Sequence, residues 1–192
     1  MQDDSRAQEC LARLCRDVDP KLLVRLWPVV LRMARAIQRF VESPPSAASL
    51  FQFETALASL LWEMGRRIVE HTLNRVEPAE ASGMPSGLYW EGDWYRRKRR
   101  SPTRNLNCLF GRIRLWRWLY ESPDELRLSA LFPLERMLGI VAGLATPALA
   151  DAVARLTVEL TQRQVLEVLR TQYHVTWGRR RCARWWRRWR RE

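Results

Sequence analysis

A run of closely spaced cations leads directly into an alternating segment, and this junction constrains the fold more than any other feature. Residues 96–100 read Arg, Arg, Lys, Arg and Arg, and Arg104 follows shortly after them. Over residues 112–120 the side chains alternate with a period of two, which is typical of a β-strand. Gly111 fits the left-handed position that closes a short hairpin loop after Phe110. The pattern predicts a small central β-hairpin that carries dense positive charge.

The two faces of this predicted strand differ in chemistry. Ile113, Leu115 and Leu119 form an aliphatic face that can pack on a core. The other face interleaves cations with aromatic rings: Arg112, Arg114, Trp116, Trp118 and Tyr120. Guanidinium groups neutralise phosphates and ring faces stack on bases, so this face suits a nucleic-acid platform. The alternative is a strand buried on both faces, with its arginines extended toward solvent.

The charge balance of the whole chain points to a polyanionic partner. The 192 residues contain 33 Lys and Arg against 21 Asp and Glu, a formal net charge of +12. All of these cations except Lys21 and Lys98 are Arg, whose planar fork matches phosphate and guanine. A GC-rich coding strand also favours Arg, and the two explanations are compatible.

Composition and spacing also exclude several classes of protein. No charge-free stretch reaches the ~20 residues of a membrane span, and the first residues lack the pattern of a secretory signal. We therefore predict a cytoplasmic, nucleoid-associated protein without membrane contact. The cysteines and histidines show no metal-ligand spacing, so we predict free thiols, no metal and no cofactor: Cys10, Cys15, Cys108, Cys182, His71 and His174.

Helices are predicted for the amino-terminal region. After a short amphipathic helix over residues 5–16, Asp19 as N-cap with Pro20 at the first position starts a second one. Its predicted apolar stripe is Leu23, Leu26, Trp27, Val30, Ala34, Ile37 and Val41. Its basic side either touches DNA phosphates or is merely solvated: Lys21, Arg25, Arg32, Arg35 and Arg39.

The longest helix is predicted to follow a Pro- and Ser-rich linker. Ser49 with Gln52 resembles a capping box, and an apolar stripe runs from Leu50 to Ile68. The stripe is wide enough to pack against another helix or a second copy of itself. Self-association through helices is therefore a further possibility for this chain.

The carboxy-terminal part has the pattern of a helix-turn-helix unit. A helix is predicted over residues 134–144, and Thr146 with Pro147 opens the next one. Thr161 with Gln164 repeats the capping-box pattern, and the hydroxyl of Thr176 would cap a recognition helix. The unit predicted to dock to the duplex covers residues 161–188.

Arginine and tryptophan dominate the last residues without any packing pattern. Such a local conflict argues against a selected helix, and if the Arg codons are CGG, a shifted frame would encode Val and Ala. The competing interpretation is a selected anchor for phosphates and bases, and a third is attachment to an anionic membrane surface. The arginines assigned to DNA here are Arg179, Arg180, Arg181, Arg184, Arg187 and Arg188.

These elements define the predicted architecture. The fold class is mainly α: helical bundle segments, a small central β-hairpin and a carboxy-terminal helix-turn-helix-like unit. Three regions are expected: helices over residues 1–78, a basic linker and hairpin over 79–134, and the helix-turn-helix-like region with its tail over 135–192.

One block of this sequence resembles a known family. Leu106 to Tyr120, with Phe110-Gly111 and Arg117, then Phe132-Pro-Leu and residues 138–150, is similar to bacterial insertion-sequence transposases of the ISKra type. The likeness extends over about residues 50–176. In that family the region precedes a ribonuclease-H-type catalytic domain with three metal-binding carboxylates, and its implied role is recognition of the element's ends. The matching catalytic positions would lie beyond Glu192, so the resemblance implies no catalytic residue here.

The sequence therefore predicts a protein that binds double-stranded DNA and does not cut it. The central residues assigned to DNA are Arg96, Arg97, Lys98, Arg99, Arg100, Arg104, Arg112 and Arg114, joined by Thr176 and the arginines of the tail. One alternative is an RNA-associated basic protein whose Arg and Trp side chains stack on unpaired bases. The other is a remnant of a transposase without a selected function.

Overall fold

The structure, a computed structural model, describes residues 19–103, 105–122 and 130–178. The chain divides into two compact units, Met1–Ile68 and Val69–Glu192. The helix predicted over residues 5–16 lies outside the described residues. In chain order the described elements are α1 (Pro20–Glu42), α2 (Ala47–Leu73), β1 (Gly87–Trp90), β2 (Asp93–Pro102), β3 (Leu106–Cys108), β4 (Gly111–Ile113), β5 (Trp116–Glu121), β6 (Ala130–Leu131), α3 (Pro133–Met137), α4 (Pro147–Glu159) and α5 (Gln162–Gln172).

The described part of the first unit is an antiparallel pair made of α1 and the first part of α2. The predicted start of α1 is confirmed, because the carboxylate of the N-cap Asp19 accepts a hydrogen bond from the backbone N–H of Lys21 at 3.0 Å, with Pro20 at the first position. The start of α2 is earlier than predicted. Ser46 and Ser49 satisfy each other, each hydroxyl accepting the other's backbone N–H at 3.0 Å, and so fix the first turn.

The face of α1 that packs against α2 differs from the predicted stripe. Packing residues recur at the helical period: Leu22, Leu26, Val29, Met33, Ala36 and Phe40. Phe40 stacks on Phe53 of α2 with ring centroids 4.7 Å apart, and Arg32 pairs with Glu63 at 2.5 Å. Of the predicted stripe only Leu26 belongs to this face, and its other members are exposed. Two adjacent apolar stripes run along α1, and the sequence pattern alone did not distinguish them.

The second unit contains two antiparallel sheets. The larger has the strand order β1-β2-β5-β6, and the smaller pairs β3 with β4. The predicted turn at Gly111 is confirmed, since Cys108 pairs with Gly111 across a two-residue loop and Gly111 has φ +103°. The single strand predicted over residues 112–120 is wrong: it breaks at Arg114 and Leu115, and its two parts join different sheets.

The fold class predicted from the sequence is wrong. The described residues are about 54% helix and 20% strand, a mixed α/β chain rather than a mainly helical bundle. The main cause is β2, whose ten residues were interpreted as a basic linker because Arg, Lys and Pro are weak strand formers. Pairing with β1 on one side and β5 on the other overrides that preference.

The helix predicted over residues 134–144 is shorter than expected. It forms as α3 and ends at Met137. Gly139, Ala142 and Gly143 then have φ of +61°, +53° and +65°, which is incompatible with a continuing right-handed helix. The loop that they form leads to Thr146, which occupies the N-cap position of α4 before Pro147 as predicted, although its side chain makes no capping hydrogen bond.

Buried apolar residues of the second unit form three clusters. One lies between α4, α5 and the chain after them, with Val153, Val165, Leu169 and Val175 fully buried. A second surrounds Leu106 and Leu115 near the small sheet, and the third surrounds Trp118 and Tyr120 on the large sheet. No helix in the described ranges is long and apolar enough to cross a lipid bilayer.

Candidate nucleic-acid interface

The hairpin of β1 and β2 presents the central part of the basic run. Glu91 and Gly92 both have positive φ, +50° and +92°, in the two-residue loop between the paired residues Trp90 and Asp93. Loops of this kind match the twist of the flanking strands, so the short turn fixes the register. Aromatic residues on both sides of the turn provide the strand preference that the basic run lacks.

A β-bulge decides which cations of β2 face solvent. Arg97 is opposite Tyr120 and Arg100 is opposite Trp118, so both Lys98 and Arg99 are opposite the single residue Leu119. The extra residue bends the strand and changes the direction of the side chains at this point. Both cations are therefore exposed. A regular strand would have turned one of the two inward.

Five side chains form what we call the outer hairpin patch: Tyr89, Trp94, Arg96, Lys98 and Arg99. Tyr89 and Trp94 are opposite each other, 59% and 62% exposed, with ring centroids 5.4 Å apart. The Lys98 ammonium lies 3.6 Å from the exposed carboxylate of Glu121. Among the described residues, Arg96 and Arg99 make no ion pair. The patch therefore combines available positive charge with exposed ring faces.

The other two arginines of the run are held by the protein itself. Arg97 donates to the carbonyl oxygens of Ala81 and Met84, and its guanidinium lies over the Trp118 ring, 5.4 Å from the centroid. The Arg100 guanidinium lies 6.0 Å from the centre of the Trp116 ring. Both contacts are on the inner face of the sheet. Arg97 and Arg100 therefore stabilise the hairpin on the body of the unit.

Polar side chains at the end of α2 and just after it anchor β5. The backbone N–H groups of Arg114, Trp116 and Trp118 donate to the side chains of Glu70, Asn74 and Glu77, at 2.9, 2.7 and 2.9 Å. The acceptors are spaced by four and three residues, as on a helix, and the donors by two, as on one edge of a strand. The three side chains therefore satisfy consecutive N–H groups along that edge. Glu77 is buried, and burial raises the pKa of its carboxyl above the ordinary value.

The proposed Arg and aromatic face of residues 112–120 is exposed at Arg112, Arg114 and Trp116 but not at its other two members. Trp118 and Tyr120 are buried, and so are the aliphatic residues Ile113, Leu115 and Leu119. Over residues 118–120 the structure therefore matches the alternative, a segment buried on both sides. The indole N–H of Trp118 donates to the carbonyl of Pro78, and the Tyr120 hydroxyl donates to that of Pro85. These rings pack in the core and are not available to stack on bases.

The remaining predicted DNA contacts are spread over the second unit. Arg112 and Arg114 are exposed, but they precede Trp116, which pairs with Pro102 at the far end of β2. At about 3.3 Å per residue, that end lies roughly 20 Å from Arg96 along the strand. Arg112 and Arg114 therefore do not belong to the outer hairpin patch. Arg104 lies outside the described residues.

The helix-turn-helix prediction is met only in its first half. The capping box of α5 is confirmed, because the backbone N–H of Thr161 donates to the Gln164 side chain at 2.9 Å and the Thr161 hydroxyl accepts from the backbone N–H of Gln164. After α5 the chain is irregular through Gly178, with Thr176 exposed and Trp177 buried. Thr176 therefore caps no helix within the described part. The arginines of the tail, Arg179, Arg180, Arg181, Arg184, Arg187 and Arg188, lie outside it.

Two of the described glutamates are engaged by arginines. Glu63 pairs with Arg32 and Arg67, and Glu135 pairs with Arg117 at 2.5 Å. Cys108 is buried, and its thiol donates a hydrogen bond to the carbonyl of Gly111 at 3.4 Å. In the part of the chain that the structure describes, no group of three His, Cys, Asp or Glu side chains is arranged to hold a metal ion.

Two members of the outer hairpin patch, Tyr89 and Trp94, were missed by the sequence interpretation. The available signal was the aromatic residues on both sides of a Glu-Gly pair, which is a hairpin pattern. Comparison with protein-family models, curated proteins and solved structures gives no match for this chain.

Proposed function

We propose that this chain binds double-stranded DNA, as the end-recognising amino-terminal part of an insertion-sequence transposase of the ISKra type. The observation that supports binding is the exposure of Arg96 beside the ring pair of Tyr89 and Trp94, together with the bulge in β2 that exposes both Lys98 and Arg99. The formal net charge of +12 supports a polyanionic partner. The transposase assignment rests on the resemblance over about residues 50–176.

The proposed contact is between the cations of the patch and the phosphates of a duplex. The tip of the β1–β2 hairpin, which extends beyond the end of β5, is two-stranded and narrow enough to enter the major groove, and the cations at its base would neutralise the adjacent backbone. Phosphate contacts of this kind fix position and orientation and carry no sequence information.

The proposal assigns binding and not cleavage to the described residues. Two-metal hydrolysis needs carboxylates that converge on both ions. Three of the acids that the structure describes are engaged elsewhere: Glu63 with two arginines, and Glu70 and Glu77 with the backbone of the β-sheet region. We therefore expect no nicking of DNA by this chain in magnesium or manganese.

A second candidate function is binding to unpaired bases, as in an RNA-associated protein. It is favoured by one observation, the exposure of the Tyr89 and Trp94 rings on the same face as Arg96. Exposed rings next to cations are the usual platform for single strands, because every base has a face that can stack. Base pairing in a duplex hides those faces.

Fluorescence anisotropy with duplex DNA, single-stranded DNA and single-stranded RNA of equal length distinguishes the two candidates. Under the duplex proposal, the wild-type chain prefers duplex DNA, and R96A/R99A lowers the slope of log affinity against log salt by roughly 1.8, about 0.9 per contact. W94A then has little effect. Under the single-strand candidate, W94A weakens binding by about ten- to hundredfold, as expected for one lost stacking contact of ~1–3 kcal/mol.

The matched control is R136A/R155A, which removes the same charge from exposed arginines on α3 and α4. It should leave the salt slope of the patch contacts unchanged. If R96A/R99A and R136A/R155A reduce the slope equally, the attraction is due to total charge and the patch is not the binding site. Preference for single strands over duplex would reject the duplex proposal.

A further inference from the structure

One side of the helical pair in the first unit is apolar and exposed. Eight large side chains on it are between 36% and 75% exposed: Leu23, Trp27, Val30, Ile37, Val41, Leu50, Leu61 and Ile68. By contrast, the large apolar side chains that are buried in the described part of this unit are Val29 and Leu60. We call the exposed surface the apolar face of the hairpin α1–α2.

These residues belong to one continuous surface because of helix geometry. On α1 they follow, by one position, the stripe that packs on α2, so Leu23 follows Leu22 and Trp27 follows Leu26. On α2 they likewise follow the inward stripe, with Leu61 after Leu60. Each residue of a right-handed helix is rotated by about 100° from the one before it. In an antiparallel pair, this rotation brings the following stripe to the same side of the pair on both helices.

The spacing along α1 is that of a helix-to-helix seam. Leu23, Trp27, Val30, Ala34, Ile37 and Val41 recur at alternating intervals of four and three residues. This heptad pattern, maintained over most of α1, is the one by which helices pack side by side in coiled coils and four-helix bundles. Binding of an extended peptide or a nucleic acid does not require this helical spacing.

Charge is separated from this surface. The cations of α1 precede the inward stripe by one position, and so lie on the opposite side of the pair: Lys21, Arg25, Arg32, Arg35 and Arg39. On the apolar face, the stripe positions of α2 include one charged residue, Glu54. Two copies could therefore meet through their apolar faces while their positive charges point away from each other.

The size of the surface fits an interface between two copies. Eight side chains exposed to this extent leave on the order of 700 Å² of apolar surface, close to the ~800 Å² that each partner buries in a standard interface. Two helices from each copy would form a four-helix bundle, in which one surface meets the same surface of the other copy.

We propose that the apolar face of α1–α2 is a homodimer interface that forms a four-helix bundle from two copies of this chain. Burial in the bundle supplies the apolar core that two helices alone do not provide. The interface is independent of nucleic acid, and it leaves the basic side of both copies exposed.

Sedimentation equilibrium of the full chain without nucleic acid tests this inference. We expect a species of twice the chain mass of 22.7 kDa at micromolar concentrations, persisting at high salt because the interface is apolar. The variant V30E/I37E should be monomeric, with its helix content by circular dichroism retained. The matched control is V158E, because Val158 on α4 is an apolar residue that is 85% exposed outside this face. V158E should remain dimeric.

A second variant without added charge tests the interface if V30E/I37E does not fold. V30A/I37A/L61A keeps strong helix formers at all three positions, and we expect it to raise the dimer dissociation constant at least tenfold. For the wild-type chain, the melting temperature should rise with protein concentration. If the wild-type chain is monomeric at all concentrations tested and its melting temperature does not depend on concentration, the homodimer proposal is rejected. The apolar face would then be covered within one chain or remain exposed. A dimer unaffected by both variants would mean that another surface holds the two copies together.

Discussion

The carboxylate of Glu77 accepts a hydrogen bond from the backbone N–H of Trp118 at 2.9 Å, and both residues are buried. This bond ties the chain that follows α2 to the middle of β5. The inner face of the same strand holds Arg97 and Arg100 through ring contacts. Glu77 anchors β5, and β5 pairs with β2, which carries the exposed cations. The position of the outer hairpin patch therefore depends on Glu77 indirectly, through β5.

Removal of this acceptor should destabilise the second unit. In E77A the buried N–H of Trp118 loses its partner, and we expect the free energy of unfolding to fall by about 1–3 kcal/mol. E77Q keeps an acceptor oxygen at the same place and should lose much less. Urea denaturation followed by circular dichroism measures both variants. Equal losses in E77A and E77Q would show that the hydrogen bond is not the stabilising contact.

The same carboxyl should make stability depend on pH. Burial raises the pKa of Glu77 in the folded state, opposed by the bond from Trp118 and the charges of Arg100 and Arg117. A raised folded-state pKa means that the folded state binds the proton more tightly than the unfolded state. This contribution to stability is therefore present below the ordinary pKa of Glu and is lost as pH rises through the raised one.

Because Gln does not titrate, the stability of E77Q relative to wild type should increase as pH rises above the ordinary pKa of Glu. Denaturation curves of both proteins at several pH values measure the difference, with E80Q as control at an exposed glutamate. A difference between E77Q and wild type that is constant over these pH values would show that Glu77 does not have a raised pKa in the folded protein.

The arginines of β2 should separate into two classes on mutation. R97A removes two hydrogen bonds and a ring contact, and should lower stability by about 1–3 kcal/mol. R99A removes an exposed side chain without an ion pair among the described residues, and should change stability by less than about 0.5 kcal/mol. Under the proposed function, R99A lowers the salt slope of DNA binding by about 0.9. Identical effects of both variants on stability would contradict this division.

The turn of the β1–β2 hairpin can be tested with a matched pair of glycine variants. Gly92 has φ +92°, which an alanine adopts only with strain, although no atom would obstruct its Cβ. G92A should therefore lower stability by about 1–2 kcal/mol. In G87A, on β1, the added Cβ would lie 3.6 Å from the nearest atom and the backbone needs no positive φ. Thermal unfolding of the two variants compares them, and a larger loss in G87A would contradict the assigned turn.

The predictions that succeeded from the sequence are local ones. Asp19 with Pro20, Thr146 with Pro147, Thr161 with Gln164, and Gly111 each act within a few residues, and their geometry is fixed by the backbone next to them. A cap or a turn needs no knowledge of the rest of the fold. This is why these features were found while the sheet was not.

The features that failed depend on contacts that are distant in the sequence. β2 is a strand because β1 and β5 pair with it, and because Arg97 and Arg100 lie against rings of β5, not because its residues favour strands. The choice between the adjacent apolar stripes of α1 depends on where α2 packs. The outer hairpin patch was found only in part, since the bulge that selects its cations is a property of pairing.

The ion pair of Arg117 and Glu135 should contribute less to stability than the loss of either partner suggests. Nε of Arg117 lies 2.5 Å from Oε1 of Glu135 but is not aligned as a hydrogen bond, and both side chains are nearly buried, at 13% and 14% exposure. Burial lowers the pKa of Arg117 and raises that of Glu135, so each charged form is disfavoured there despite its partner. Arg117 also lies over the Phe132 ring, 3.8 Å from its centroid.

A double-mutant cycle measures the pair. R117M and E135M should each lower the free energy of unfolding by about 3–5 kcal/mol, because each leaves an uncompensated buried charge. The double variant R117M/E135M should be about as stable as wild type, or lose far less than the sum of the two single losses. The exposed pair of Arg155 and Asp151 serves as control, and the same cycle there should give less than about 1 kcal/mol of coupling. Additive losses at Arg117 and Glu135 would show that the two side chains stabilise the protein independently, through packing on Phe132 and the α3 helix.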